Sequence, residues 1–187
     1  EDPNGDTPTD EGYGILREAN TSTIGSLNPH TYINSYSSEQ IKRASIGLYA
    51  YFPNEDYTFC ELSGELADGD PEQVDEEGKV WQIHLKDGVT WENGDVIYTW
   101  KMILDPKLAN LRASNFAKDV IEIENAMNYF EGSCSWEEVG LKRVDNLTVE
   151  IHTVSMQDAQ EIKTHLAHPA NVIVNEEYYE ANMNADR

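Results

Sequence analysis

The sequence predicts a mixed α+β fold, and three stretches carry that expectation. In residues 79–85 the apolar Trp81, Ile83 and Leu85 alternate with Gln82 and His84, the period of two that lines one face of a strand. Residues 140–144 and 147–154 are two extended runs around Asp145-Asn146, a pattern that predicts a hairpin with Leu147, Val149, Ile151 and Thr153 on one face. Residues 96–104 are compact and apolar and run into Asp105-Pro106, which predicts a helix that stops there.

The remaining elements follow in chain order. Residues 1–12 are acidic with Pro, Gly and Thr, and are expected to form a linker arm ahead of the folded part at 13–187. A first strand is expected over 13–19, then a corner at Asn28-Pro29. Ser37-Ser38-Glu39-Gln40 predicts a helix start, with Ile41, Ala44, Ser45 and Leu48 at helical spacing, Gly47 weakening it and Tyr49, Tyr51 and Phe52 closing it. Pro53-Asn54 turns the chain. Residues 59–66 are short and mixed, and 67–78 form a polar loop. Asp87-Gly88 is a turn signal after the 79–85 strand, with Val89 and Trp91 resuming an extended run.

A long helix is expected from Ser114-Asn115 to about residue 130, with Phe116, Val120, Ile123, Ala126, Met127 and Phe130 on its apolar side and Glu131-Gly132 stopping it. Ser135 to Glu138 reads as a single helical turn. A polar helix is expected over 157–166, a short strand over 172–174 and a last helix starting at Asn175.

Composition bounds the function. The 187 residues carry 13 basic and 35 acidic side chains, for a net charge of −22, with 39% hydrophobic residues, four Trp, ten Tyr and four Phe. That is enough apolar and aromatic material for a core of one domain or somewhat more. The charge sets the chain against a nucleic-acid backbone or an anionic membrane face, because both repel it. No run of 18 apolar residues occurs, so no transmembrane helix is expected. Cys60 and Cys134 allow one disulfide or two buried thiols. The opening Glu1-Asp2-Pro3-Asn4-Gly5-Asp6 reads as the interior of a longer precursor.

Catalytic and metal-binding patterns are missing. The glycines are scattered among turns, with no phosphate loop and its lysine. Carboxylates are too common to single out a general acid. His84 and His152 fall on the outer strand faces, and His165 and His168, three apart, lack a third local ligand and read as surface residues. Residues 68–78 do not follow the spacing of a calcium loop. Asn20-Thr21-Ser22 and Asn146-Leu147-Thr148 match the glycan acceptor pattern, the second on a tight turn. No metal and no cofactor is expected. A folded, aromatic-rich, non-catalytic chain reads as a binding module.

A set of motifs makes that reading more specific. Gly25-Ser26-Leu27-Asn28-Pro29 and Ile46-Gly47-Leu48-Tyr49-Ala50-Tyr51 come first. Glu65-Leu66-Ala67, the block from Lys79 to Trp91, and Asn93-Gly94-Asp95 follow. Tyr98-Thr99-Trp100-Lys101, Leu104-Asp105-Pro106 and residues 139–151 complete the set. Together, in this order over residues 13–154, they resemble the extracytoplasmic oligopeptide-, dipeptide- and nickel-binding proteins of ABC importers. The resemblance implies the N-terminal lobe of a periplasmic-binding-protein type II clamp. In such proteins two lobes close by hinge bending on an extended peptide, held largely through its backbone, and hand it to an ABC transporter permease. It also implies an extracytoplasmic location, in the periplasm or at the cell surface, with a membrane contact only through a lipid anchor that this sequence does not contain. The family chain is more than twice as long, so the sequence is expected to cover the first lobe incompletely, without the second.

This sequence departs from the family where Asp95 runs straight into Val96-Ile97-Tyr98 without the usual Thr-Ala-x-Asp segment and its helix cap. The resemblance places residues 31–37 at the cleft, where Asn34, Ser35 and Tyr36 offer an amide, a hydroxyl and a ring to a peptide. The alternative is that Tyr36 packs and that Asn34 and Ser35 cap the next helix. Trp81, Trp91 and Trp100 read as lobe core together with Ile83 and Leu85, rather than as an aromatic ligand platform. Two other functions stay open: a surface adhesion or protein-interaction domain reusing the lobe, and a family member that takes nickel or sugar. A hydrolase needs a nucleophile and base that the sequence does not offer.

Overall fold

The computed structural model describes residue 19, residues 21–88 and residues 93–183, with the backbone alone at Asn93 and Gly94. The arm 1–12, the strand expected over 13–19 apart from Ala19, and the run through Val89 and Trp91 lie outside the described residues.

The alternating 79–85 stretch is strand β4, Val80–His84, at the centre of a four-stranded antiparallel sheet of order β3-β4-β6-β5. Its partners are β3, Glu72–Gln73, and β6, Thr148–His152; β5, Leu141–Arg143, closes the other edge. The register sets Trp81 opposite Ile151 and Ile83 opposite Val149, so the two apolar faces coincide and bury all four side chains. The Trp81 indole donates to the Gly78 carbonyl at 3.0 Å, which satisfies its one polar atom. Gly78 itself sits at φ +68°, a conformation that glycine adopts without a Cβ clash. The 140–154 hairpin forms as expected, although Leu147 at its turn is exposed.

Helix α2, Asn93–Ile103, packs on β5 and β6 and buries Val96, Trp100 and Ile103, with Leu104 buried just after it. Trp100 has 0% exposure and lies beside Phe116, with ring centroids 6.3 Å apart. Ahead of the sheet, α1, Ser35–Ala44, leads into a separate hairpin of β1, Tyr49–Pro53, and β2, Cys60–Gly64. Helix α4, Ala159–Leu166, packs on that hairpin. Asp158 and Glu161 close its first turn as a reciprocal capping box. Helix α5, Glu176–Asn182, capped by Asn175, follows.

Several expectations are corrected. The first helix begins at Ser35, because Asn34 accepts from Ser37 N–H at 2.8 Å and takes the cap position; the Ser37 hydroxyl instead accepts from Gly25 and Ser26. It ends at Ala44, before Gly47. Ile46 pairs with Ile173, and the aromatic run after it becomes β1, where bulky rings fit a pleated surface better than a helix.

The long helix over 115–130 is broken in two. A π-helical turn, Asn115–Asp119, and α3, Ala126–Phe130, flank a segment captured by the sheet. There Ile123 bridges to Thr153, Glu124 N–H donates to His152 and Val154 N–H donates to Glu122. Val120 consequently points outward at 59% exposure. The strand expected at 172–174 is reduced to the single Ile46–Ile173 bridge.

The cysteines are not a buried pair: Cys60 is exposed, Cys134 is half-buried, and both are free thiols. No described helix is long and apolar enough to cross a membrane.

Candidate functional site

Contacts from distant parts of the chain converge on residues 25–36. Asn28 folds this corner on itself. Its side-chain oxygen accepts from His30 N–H at 2.8 Å, and its backbone carbonyl accepts from Thr31 and Tyr32 N–H. The corner thereby buries His30 and Tyr32, and Tyr32 joins a small apolar cluster with Ile41, Ala170 and Val172. Arg112 holds the same loop from above. Its guanidinium carbon lies 4.0 Å from the centre of the Tyr32 ring, and Nε and Nη2 both donate to the Tyr32 carbonyl at 3.2 Å.

Helix α5 closes the corner from the other side. The Tyr179 hydroxyl contacts His30 Nδ1 at 2.9 Å and Asn28 Nδ2 at 3.2 Å. The helix is strapped to α2 by Asp95, whose carboxylate accepts from Glu176 N–H at 2.7 Å, and by Thr99, whose hydroxyl accepts from Val174 N–H at 3.0 Å. Burial of the imidazole pushes the His30 pKa down to about 4, so the ring is neutral at pH 7.

Between the corner, α2 and α5 lies a cavity of about 700 Å³. Leu27, Pro29, Met102, Leu108 and Ile173 give it apolar walls; Asn28, Asn110 and Asn175 add amides. Among the described residues no Asp, Glu, Lys or Arg lines it, although 26% of the whole chain is charged. Two buried polar atoms of its lining residues, His30 Nε2 and Asn110 Nδ2, have no partner among the described residues. Around it stand exposed apolar side chains, among them Leu27 at 60% and Tyr178 at 72% exposure.

The three residues expected at the cleft form the end of the corner and the start of α1, outside the cavity lining. Asn34 spends its amide oxygen on the helix cap. The Ser35 side chain is exposed. Tyr36 is half-buried, and its hydroxyl contacts that of Thr21. Ile33, immediately before them, is 77% exposed. Trp81, Ile83, Leu85 and Trp100 lie in the main core; Trp91 falls outside the described residues.

His165 is not a surface residue. It is buried, stacks on Phe116 with centroids 5.4 Å apart, and has its pKa lowered to about 4, chiefly by burial. His168 caps the turn Pro169–Asn171 by accepting from Ala170 N–H at 3.2 Å. Among the described residues no group of three or more His, Cys, Asp or Glu side chains is placed to hold a metal ion.

The roles of Arg112, His30 and Tyr179 were not visible in the sequence. They meet across 80 and 149 residues, beyond the reach of periodicity or spacing.

This mixed α/β architecture, with its tightly strapped N-terminal corner, matches the clamp fold of periplasmic binding proteins. The family model described as bacterial extracellular solute-binding proteins, family 5 Middle, matches residues 61–186, and the chain belongs to that family. The description places these proteins outside the cytoplasm. The chain is 31% identical over 107 residues to the oligopeptide-binding protein OppA of Bacillus subtilis, a match covering 50% of this chain and 19% of that protein. To the periplasmic oligopeptide-binding protein OppA of Escherichia coli it is 27% identical over 139 residues, covering 71% and 24%.

Two solved structures share the fold. The substrate-binding domain of an oligopeptide ABC transporter from Bacillus anthracis superposes with a TM-score of 0.74 at 21% identity, covering 89% of this chain and 31% of that one. Listeria monocytogenes OppA bound to peptide gives 0.71 at 20% identity, covering 88% and 31%. The chain therefore spans a quarter or less of these curated relatives and about a third of these solved chains.

Proposed function

We propose that this chain is part of the N-terminal lobe of a non-catalytic solute-binding protein that captures oligopeptides outside the cytoplasm for import by an ABC transporter permease. Family membership supports this reading, as do the relatives' own descriptions as oligopeptide-binding proteins. The observation that carries it to a place on the molecule is the rigid corner 25–36. The corner is fixed from three sides by Arg112, Tyr179 and the Asn34 cap, yet it presents Ile33 and Ser35 to solvent. A surface held still and left uncovered costs little ordering entropy when a ligand docks on it.

In this reading Ser35, the remaining donors of Asn34 and the Tyr36 ring meet an extended peptide, whose backbone supplies most of the hydrogen bonds. Trp81 and Trp100 act as core and take no part in binding.

Native mass spectrometry of the full-length protein tests the reading. A distribution of peptide-sized adducts, released on mild denaturation, supports capture of peptides. A protein that carries none and takes up none from an excess of added oligopeptides refutes it, and a protein-interaction role for the lobe then takes precedence.

A further inference from the structure

Negative charge is spread unevenly along the chain. Between Arg43 and Lys79 it carries ten Asp and Glu side chains and no Lys or Arg. This segment forms the β1–β2 hairpin, the polar loop after it and the edge strand β3. The fold brings few cations to it. Lys163 reaches Asp70 at 2.8 Å and Lys79 reaches Glu77 at 2.6 Å. Lys86 donates instead to the carbonyls of Gly64 and Glu65, at 2.9 and 3.0 Å. Among the described residues no Lys, Arg or His forms an ion pair with Glu55, Asp56, Glu61, Asp68 or Glu76, and all five are exposed.

The hairpin is also weakly held. Its base is anchored by Tyr49, which is buried, and by Leu62, which packs on the main core. From Tyr51 to Glu61 only Asn54 is even partly buried, and the aromatic side chains there stand in solvent, from 40% exposure at Phe52 to 83% at Tyr57. The tip is closed by Asn54, whose side-chain oxygen accepts from Thr58 and Phe59 N–H. A two-stranded hairpin with so little apolar burial is marginal by itself. Glu55, Asp56 and Glu61 crowd this outer half. Unpaired like charges oppose the compact state, and their effect is greatest where few buried contacts resist it.

Salt acts directly on this balance. The screening length falls from about 10 Å at 0.1 M to about 3 Å at 1 M, so carboxylates on adjacent strands and turns cease to repel one another. We infer that the β1–β2 hairpin is a salt-dependent element, ordered against the body at high ionic strength and loosened at low ionic strength. A protein outside the cytoplasm meets the salt of its surroundings directly, so the device couples this part of the fold to the external medium. The inference does not depend on peptide capture.

Hydrogen exchange of the full-length protein, read by mass spectrometry in 0.1 M and in 2 M NaCl, tests it. The amides of β1 and β2 are expected to exchange about tenfold or more faster at the lower salt, whereas those of β4 and β6 change by less than about twofold. KCl at equal ionic strength is expected to act as NaCl does. The triple variant Glu55→Gln, Asp56→Asn, Glu61→Gln alters only exposed side chains. Its hairpin exchange at 0.1 M is expected to fall toward the wild-type value at 2 M.

Equal exchange of the wild-type hairpin at both salt concentrations overturns the inference. So does a triple variant that keeps the full salt difference, because salt then acts through apolar burial rather than charge. Protection of the hairpin by millimolar CaCl2 in 0.1 M NaCl also overturns it, since a bound cation and not screening then orders the element.

Discussion

The guanidinium of Arg112 stacks 4.0 Å from the centre of the Tyr32 ring while two of its nitrogens donate to the Tyr32 carbonyl. One side chain thus ties the connector after α2 to the corner that opens α1, across 80 residues of sequence. Arg112→Ala removes the stacking and leaves a partly buried carbonyl without its donors, a loss of about 1–3 kcal/mol by urea unfolding. Arg112→Lys is expected to recover less than half of it, because an ammonium cannot stack and donate twice in the same plane. Equal stability of Lys and Arg at this position would show that charge alone holds the corner.

Two histidines set an acid limit on stability. Burial lowers the pKa of His30 and of His165 to about 4, against 6.5 in the unfolded chain. Between those values the unfolded state binds more protons, so stability rises with pH across the window. The contribution is fully present above pH 6.5 and is lost as pH falls toward 4. Replacing His165 by Gln is expected to flatten the dependence of the unfolding midpoint on pH between 4 and 6.5, with the plateau above pH 7 lowered by the altered packing on Phe116. A variant that retains the wild-type slope would exclude His165 as a source of it.

Gly64 ends β2 with no room for a side chain. A Cβ there would lie 2.1 Å from the Ala67 carbonyl oxygen, so the backbone of the 64–67 turn must shift to accept one. Gly64→Ala is expected to cost about 2 kcal/mol or more in thermal or urea unfolding. Gly69→Ala has open space around the added atom but a φ of +80°; it is expected to cost about 1 kcal/mol from backbone strain alone.

Both cysteines are free, in different surroundings. Cys60 is exposed, whereas Cys134 is half-buried, points its sulfur at the Asn125 carbonyl 3.6 Å away, and has its pKa raised by burial and by Glu138. Thiol titration of the native protein at pH 8 is expected to give one fast and one slow reacting group, with Cys60→Ser abolishing the fast phase. No reaction before reduction would mean that the two are bridged.

The sheet was legible wherever local pattern and tertiary packing agree. The alternation Trp81-Ile83-Leu85 and the hairpin around Asp145-Asn146 needed only each other to be satisfied, and both appear in the structure with the expected faces inward except for Leu147 at the turn. The break in the helix over 115–130 is not legible in the sequence, because a 3.6-residue pattern of apolar side chains says nothing of backbone groups on a neighbouring strand. His152 and Val154 capture residues 122–124, and Asn125 restarts the chain at φ +56°.

The first helix started early for a similar reason, since Asn34 and Ser37 compete for one cap and Ser37 is drawn to Gly25 and Ser26. Motif order pointed to the corner 31–37. What fixes that corner, Arg112 and Tyr179, lies too far along the chain for any sequence pattern to connect, and so does the uncharged cavity behind it.

Hydrogen exchange of the full-length protein with and without a saturating oligopeptide tests the central claim most directly. If the corner is the docking surface, the amides of residues 33–36 exchange more slowly in the complex, while those of β4 and β6 in the core are unchanged. Tight peptide binding with no change at residues 33–36 would place the contact elsewhere and contradict this account of the site.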